Sequence, residues 1–252
     1  RNYQITGFKW LKTLSSYGLG GILADDMGLG KTFQTIAFLL SEKKDISLPS
    51  IVICPTSIMY NWESEVEKFA PGLKALVVSG PKDYRGELIK KAKNADIIIT
   101  SYPLIRRDIN SYKDMEFAYC ILDEAQHIKN PSSVNARSVK DIRARGYFAL
   151  TGTPIENNLT ELWSIFDFLM PGYLLSHKKF SERFERPIAL GQDKEAIKEL
   201  RRHIKPFILR RLKGDVLKEL PPKIESKRTL DMTTEQKKVY LAYHQQIKSQ
   251  VE

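Results

Sequence analysis

Short, continuously apolar segments alternate with amphipathic segments over the first two thirds of the chain. The apolar segments are rich in β-branched residues, which is typical of strands covered by helices on both faces. Strands and helices that alternate in this way form a mostly parallel sheet with right-handed crossovers. The sequence therefore predicts an α/β fold, a parallel sheet with helices on both faces. The predicted strands cover residues 20–25, 51–54, 75–79, 96–100, 119–123 and 147–151, and the predicted helices cover residues 3–14, 31–42, 57–69, 83–93, 132–142 and 158–169.

This alternation stops after residue 172, and the rest of the chain has a different pattern. Residues 177–213 have the composition of basic helices, and the Leu-Pro-Pro sequence at 220–222 interrupts regular structure. Beyond this break we expect a strand over residues 225–232 and a helix over residues 233–250.

The break points predict three parts: a complete α/β domain over residues 1–172, a basic helical segment and linker over residues 173–222, and the first strand and helix of another domain over residues 223–252. Thr233 or Thr234 is the expected N-cap of the last helix, because a hydroxyl side chain can accept a bond from the first free backbone N–H groups. The chain begins without methionine, so we expect it to be a piece of a longer protein.

The whole chain has a net charge of +10, and the basic excess is concentrated in its last third. Residues 173–252 contain 19 basic and 11 acidic side chains, whereas residues 1–172 contain 21 and 19. A local basic excess indicates a polyanionic partner such as nucleic acid, but it is also typical of a solvated helical surface. The charge distribution alone leaves both interpretations open.

Cysteines are few, and both Cys54 and Cys120 lie in apolar runs. Without a disulfide framework or a Cys/His cluster, the pattern favours a reducing compartment, cytoplasmic or nuclear, and argues against a zinc site. No apolar run approaches the roughly 20 residues that a helix needs to cross a bilayer. The sequence therefore predicts no membrane partner.

The segment that opens the predicted helix over residues 31–42 has the pattern of a phosphate-binding loop. Gly28 and Gly30 would let the backbone turn its N–H groups toward phosphates, and the helix N-terminus adds partial positive charge. Lys31 would reach the β- and γ-phosphates of ATP, and Thr32 would ligate Mg²⁺. The candidate nucleotide-binding residues in this loop are Asp26, Met27, Gly28, Leu29, Gly30, Lys31 and Thr32.

One position departs from the general loop pattern, because Asp25 stands where a glycine is usual. A second signal supports the loop: Asp123 and Glu124 end the predicted strand over residues 119–123. Carboxylates at the carboxyl ends of parallel strands face the crevice in which α/β sheets bind ligands. Asp123 would hold Mg²⁺ through water, and Glu124 would polarise the attacking water. The alternative is an acidic pair that caps the following helix.

Six sequence blocks occur in the order seen in Swi/Snf-type ATPases, which are superfamily-two helicase-like proteins, and the chain resembles that family over nearly its whole length. The blocks are DDMGLGKT (25–32), ICPTSIMYNWESEVEKF (53–69), TSY (100–102), LDEAQHIKN (122–130), LTGTPIENNLTELWS (150–164) and IKPFILRRLKGDVLKELPPK (204–223). The resemblance implies a RecA-like ATP-binding first lobe, a P-loop NTPase fold, over residues 1–172. It also implies an appended helical segment and the start of a truncated second lobe over residues 223–252.

The resemblance also implies roles for individual residues. Lys31, Asp123 and Glu124 take the catalytic positions, and Gln4 resembles the residue that recognises adenine. Family members are DNA translocases that remodel protein–DNA complexes. The residues that resemble DNA-contacting or coupling elements are Pro55, Thr56, Thr100, Ser101, Thr151, Gly152, Thr153, Arg210 and Arg211. Arg210 and Arg211 could equally dock a second lobe.

Short hydroxyl side chains suit contacts to a DNA backbone, which carry no base specificity. The expected partners are therefore double-stranded DNA, bound without sequence preference, and a second RecA-like lobe, with the present chain a monomer of low activity by itself. Trp62 and Trp163 fit core positions better than base-stacking positions. Two alternatives remain open: a strand-separating DNA or RNA helicase of the same superfamily, and an ATP-gated DNA-binding scaffold.

Overall fold

The computed structural model describes residues 1–152, 159–191, 193–216, 229 and 231–251. It divides into two compact units, Arg1–Lys218 and Glu219–Glu252. In the described ranges no helix is both long and apolar enough to cross a membrane.

One sheet of seven parallel strands organises the described part of the first unit, which confirms the predicted α/β fold. The strand order is β3-β4-β2-β5-β6-β1-β7. Every residue of β2 and β4 is buried, so helices cover both faces of the sheet at its centre. The strands are β1 Gly21–Leu23, β2 Ser50–Cys54, β3 Ala75–Val77, β4 Ile97–Ser101, β5 Glu116–Asp123, β6 Arg143–Leu150 and β7 Ile208–Leu209.

The described helices are α1 Asn2–Ser16, α2 Lys31–Glu42, α3 Met59–Phe69, α4 Lys82–Lys91, α5 Tyr102–Tyr112, α6 Val134–Lys140, α7 Leu159–Leu169, α8 His177–Phe180, α9 Arg186–Gly191, α10 Lys194–Ile204, α11 Lys213–Val216 and α12 Thr234–Val251. Helices α1, α2, α3, α4, α6 and α7 overlap the six predicted helices, whereas α5, which connects β4 to β5, was not predicted. A π-helical turn, Ser181–Glu185, joins α8 to α9.

The basic segment after residue 172 packs against the same core as the sheet. Helix α10 shows why: Ala196, Leu200 and Ile204 form one buried stripe at helical spacing, while its basic residues lie on other faces. Asp193 caps this helix by accepting bonds from the N–H groups of Glu195 and Ala196. The apolar stripe therefore anchors the segment, and the charged side chains cover its outer surface.

Strand β7 corrects the expectation that residues 177–213 are helical throughout. Its two residues pair in parallel with β1, so that Ile22 lies opposite Ile208. A two-residue strand has too little alternation to be recognised from the sequence, and its register comes only from the tertiary pairing. Residues 208–213, here called the return segment, run alongside β1 and the residues that follow it.

The described part of the second unit is one helix, α12. The Oγ1 of Thr233 accepts a bond from the N–H of Gln236 at 3.3 Å, and the Gln236 side chain accepts one from the N–H of Thr233 at 3.0 Å. This reciprocal pair identifies Thr233 as the N-cap, one of the two residues predicted for that role. The strand expected over residues 225–232 lies largely outside the described residues.

Candidate nucleotide-binding site

Three strand ends are aligned at one edge of the sheet. Leu23 at the end of β1 pairs with Leu150 of β6, and Leu150 pairs with Asp123 of β5. The chain therefore leaves all three strands at the same level, on the side where parallel sheets bind ligands. The phosphate-binding loop, Thr151 and the acidic pair are brought together by this register.

The loop between β1 and α2 has the backbone conformation that the sequence predicts for phosphate binding. Gly28 has a φ of 84° and Gly30 a φ of 76°, a left-handed conformation that glycine adopts without steric cost. Helix α2 begins directly afterwards at Lys31 and is 12 residues long, so its free N–H groups point at the loop. These features suit an anion such as a phosphate.

The remaining loop residues differ in exposure. Leu29 is fully buried and anchors the loop, whereas Met27 is exposed and Asp26 and Thr32 are half-buried. The Lys31 ammonium group donates a 2.8 Å bond to the backbone carbonyl of Asp25. Lys31 is thus held across the loop, within the turn that would surround a phosphate.

Gln4 on α1 lies against this loop. A Cβ atom placed on Gly30 would come within 2.8 Å of the Gln4 side-chain nitrogen. Gln4 and Phe33 both line an open groove between α1 and α2. The groove offers an apolar surface with an amide at its edge, which is what a nucleotide base requires.

Asp123 lies at the end of β5 and is only 7% exposed. Its Oδ2 accepts a bond from the indole N–H of Trp62 at 2.8 Å, and its Oδ1 accepts one from the N–H of Glu124 at 2.9 Å. Burial raises the pKa of Asp123, while the Trp62 bond acts in the opposite direction. Each carboxylate oxygen keeps a second lone pair for a metal-bound water.

Glu124 follows with a φ of 51°, a left-handed conformation that is uncommon for a residue with a side chain and costs about 1 kcal/mol or more. Its Oε2 accepts a bond from Gln126 Nε2 at 2.8 Å, and Gln126 Oε1 accepts a bond from the Thr151 hydroxyl at 3.1 Å. A chain of bonds thus connects Glu124 on one strand end to Thr151 on the next.

The donor set at this edge fits Mg²⁺. The carboxylate of Asp123 and the hydroxyl of Thr32 are the hard oxygen ligands that Mg²⁺ prefers, and the ion usually keeps several waters. Both Asp123 oxygens already accept a hydrogen bond, which favours contact through water over a closed protein cage.

The residues predicted to contact DNA fall into two groups in the structure. Thr100 is 1% exposed and Ser101 0%, so their hydroxyls do not face solvent and the expectation that they touch a DNA backbone does not fit this geometry. Both lie at the end of β4, where neighbours cover each face of the strand. Thr151 is also fully buried. In contrast, Thr56 is exposed.

Of the other candidates, Pro55 and Gly152 are half-buried and Arg210 is exposed, whereas Thr153 lies outside the described residues. The Arg211 side chain is only 12% exposed, because it forms an ion pair with the fully buried Asp25. This places Arg211 beneath the phosphate-binding loop and away from an outer DNA-binding surface.

The predicted set lacks several contributors to the site, including Gln126, which bonds Glu124 and Thr151. Trp62 orients Asp123, and Gln34 on α2 donates to Asp25 Oδ2 at 3.3 Å and to the carbonyl of Gly30 at 3.2 Å. The sequence contained one usable signal, since an aspartate at the end of a buried apolar run must be bonded by hydrogen-bond donors.

Comparisons with known proteins show which proteins this chain is similar to. The chain is 43% identical over 276 residues to the TATA-binding protein-associated factor MOT1 of Saccharomyces cerevisiae, covering 100% of this chain and 15% of that protein. It is 44% identical over 242 residues to an uncharacterized ATP-dependent helicase of Mycoplasma pneumoniae, covering 95% of this chain and 23% of that protein. The chain thus spans less than a quarter of these relatives.

The fold is also similar to the Sulfolobus solfataricus SWI2/SNF2 ATPase core solved in complex with dsDNA. The TM-score is 0.81 at 46% sequence identity, over 96% of this chain and 51% of that chain. The SNF2-related domain matches residues 3–251. Since that match covers nearly the whole chain, the chain belongs to the SNF2-related domain family, as the resemblance to Swi/Snf-type ATPases predicted.

Proposed function

We propose that this chain is the ATP-binding first lobe of a double-stranded-DNA-dependent ATPase that translocates on DNA and remodels protein–DNA complexes. The observation that carries the proposal is the register of the three strand ends. In this register the loop between β1 and α2 and the pair Asp123 and Glu124 follow strand ends at one edge of the sheet, which supports a nucleotide site there. The relatives named as an ATP-dependent helicase and an ATPase core in complex with dsDNA support the same activity.

Each residue has a specific part in the proposed reaction. The backbone N–H groups around Gly28 and Gly30 bind the phosphates, and Lys31, whose ammonium group has three N–H donors, binds a phosphate oxygen while it keeps its bond to the Asp25 carbonyl. Asp123 and Thr32 would hold Mg²⁺, which supplies charge neutralisation at the phosphates when bound. Glu124 accepts a proton from the attacking water, and the bond from Gln126 orients its carboxylate.

The link from Glu124 through Gln126 to Thr151 supports a coupling role for the segment that follows β6. A change at the catalytic carboxylate can reach Thr151 through two hydrogen bonds. Thr151 leads directly into residues 152 and 153, which we propose to transmit the nucleotide state to a DNA-binding surface.

We further propose that a second RecA-like lobe completes the site and that residues 223–252 are its beginning. The chain corresponds to 51% of the Sulfolobus core chain, which leaves room for a second half of similar size. In related phosphoryl-transfer enzymes, positioned arginines from outside the phosphate loop increase the rate by a factor of roughly 10³–10⁵.

The two buried free cysteines suit a reducing cytoplasm or nucleus.

The test is the ATPase rate of the full-length protein without nucleic acid and with duplex DNA, single-stranded DNA or RNA. We expect duplex DNA to stimulate most, without strand displacement in a parallel unwinding assay. Greatest stimulation by RNA, or efficient strand separation, would support a conventional helicase. Nucleotide binding without hydrolysis under every condition would support the scaffold alternative.

A further inference from the structure

The return segment runs alongside the chain that enters the phosphate-binding loop. Beyond the pairing of β7 with β1, the N–H of Ala24 donates to the Leu209 carbonyl at 2.7 Å, and the N–H of Asp26 donates to the Arg211 carbonyl at 3.0 Å. The Asp26 carboxylate in turn accepts a 2.9 Å bond from the N–H of Lys213. A segment nearly 190 residues away in sequence is thus fastened to the first half of the loop.

Arg211 directs its side chain into the lobe from this segment. Its Nε donates to Asp25 Oδ1 at 2.8 Å, and its Nη2 donates to the other carboxylate oxygen of Asp25. The same Nη2 donates to Gln34 Oε1 at 2.8 Å, and Nη1 donates to the backbone carbonyl of Tyr3. One guanidinium group therefore connects α1, α2 and the residue that precedes the phosphate-binding loop.

The partner of Arg211 is also the residue that holds the catalytic lysine. The carboxylate of Asp25 binds Arg211, while its carbonyl accepts the 2.8 Å bond from Lys31. Asp25 is 0% exposed, so its charge has no access to water. A buried carboxylate that loses its cationic partner is strongly unfavourable, so Asp25 would move toward other donors or water. That movement would displace the carbonyl that positions Lys31.

Helix α1 leaves space for the side chains of Arg211 and Gln34 because it has a glycine where it meets them. Gly7 on α1 is buried, and a Cβ atom at that position would lie 1.8 Å from Gln34 Oε1 and 2.9 Å from Arg211 Nη2. A side chain there is therefore incompatible with the observed contacts. The sequence departs from the general loop pattern at Asp25, and the structure accommodates that departure with Arg211, Gln34 and Gly7 together.

We propose that Arg211 is a positioning residue of the nucleotide site, which fixes the Asp25 backbone and through it the geometry of the phosphate-binding loop. This inference rests on the proposed function, because the loop must bind a nucleotide for its geometry to matter. Arg211 does not touch the substrate; its effect passes through Asp25 to Lys31. The return segment is then a part of the nucleotide site, and a displacement of it would change nucleotide affinity.

The test compares nucleotide affinity with stability in the full-length protein. A fluorescent ATP analogue is titrated into the wild type, Arg211→Lys, Arg211→Met and the double variant Asp25→Asn with Arg211→Met, and thermal unfolding is recorded for each. We expect Arg211→Met to weaken binding by a factor on the order of 10 to 100, because small displacements in a preorganised site have effects of this size. Arg211→Lys keeps the charge but cannot make the bidentate contact with Asp25, so its nucleotide affinity should lie between those of the wild type and Arg211→Met.

The matched control is Arg85→Met. Arg85 is likewise buried and donates to both carboxylate oxygens of Asp108, at 2.5 and 2.7 Å, on helices remote from the loop in sequence. Its loss should lower the melting temperature as Arg211→Met does, with nucleotide affinity unchanged. The double variant removes the unpaired charge, so it should regain stability while its affinity stays low; it also provides the measurement if Arg211→Met does not fold.

The outcomes separate this inference from the proposed function. If the double variant or Arg211→Lys binds the analogue within twofold of the wild type while Lys31→Ala binds it more weakly, Arg211 is a structural residue only and the inference is wrong. If the wild type and Lys31→Ala bind equally, the nucleotide site itself is misassigned, and the inference is lost with it.

Discussion

The indole N–H of Trp62 donates a 2.8 Å hydrogen bond to Oδ2 of Asp123, and both residues are almost completely buried. Trp62 belongs to α3, which packs beside β4, whereas Asp123 ends β5. A side chain that fits a core position by its spacing thus also orients the carboxylate proposed to hold Mg²⁺. Because the bond stabilises the charged form, it opposes the rise in the pKa of Asp123 that burial causes.

Trp62→Phe should weaken Mg²⁺-dependent nucleotide binding at low pH. Loss of this hydrogen bond, which stabilises the charged carboxylate, raises the pKa of Asp123 further. Since Mg²⁺ binds the carboxylate form, the pH below which affinity falls moves upward by the same amount. Titrating Mg²⁺ against nucleotide affinity from pH 5 to 8 measures this shift.

Trp163→Phe is the control for that experiment. Trp163 is also buried and donates its indole N–H at 3.1 Å, but to the carbonyl of Leu175. It should lose some stability and keep the wild-type pH profile. Equal pH profiles for the two tryptophan variants would show that Trp62 has no influence on Asp123.

Lys31→Ala should reduce nucleotide affinity by about 1.5–3 kcal/mol, the effect of losing one charge-assisted phosphate contact. The lysine is half-buried and bound to a backbone carbonyl, so its removal leaves no buried charge and the fold should persist. Titration of a fluorescent ATP analogue gives the affinity. The same affinity in wild type and variant would refute the assignment of the loop.

Glu124→Gln should retain nucleotide binding and lose hydrolysis in the full-length motor. The amide preserves the shape and can still accept the bond from Gln126, but it cannot take a proton from water. The measurement is ATP turnover with duplex DNA beside nucleotide affinity. Glu116→Gln, an exposed change at the start of β5, serves as the control. Normal turnover in Glu124→Gln would mean that another group is the base.

DNA binding should depend steeply on salt and be indifferent to base sequence. The basic excess of residues 173–252 and the absence of a recognised base-reading element in the sequence favour contacts with phosphates. Backbone binding releases counterions, so the logarithm of affinity should fall with the logarithm of salt concentration with a slope near −0.9 per phosphate contacted. Titrating two unrelated duplexes over a salt series tests this, and a strong preference for one duplex at matched salt would contradict it.

The present chain alone should bind ATP weakly and hydrolyse it slowly. In the described residues the groups near the phosphate-binding loop approach it from one lobe, whereas charge developing in the transition state is usually stabilised by positioned groups around it. Addition of the proposed second lobe, in one chain or as a separate protein, should restore DNA-stimulated turnover. Turnover of about 1 s⁻¹ or faster by the chain alone, within the typical enzyme range, would argue against this dependence.

The amino-acid sequence by itself determined the fold class, most of the strands and helices, and the acidic and glycine-rich motifs, but it indicated neither α5 nor β7. These features are local: strand runs, helical spacing and the Gly28–Lys31 pattern depend on residues close together in the chain. The predicted strand over residues 119–123 is the end of β5, and the predicted helix over residues 31–42 is α2 itself.

Only the tertiary structure decided which distant residues meet. The register from Leu23 through Leu150 to Asp123 arises from pairing among three strands, and the contact of Arg211 with Asp25 joins residues 186 positions apart. The sequence shows that the hydroxyl residues Thr100 and Ser101 lie where a predicted strand ends, but only packing decides that both are buried. Such features depend on long-range pairing and on the burial of charge, for which neither local propensity nor spacing contains information.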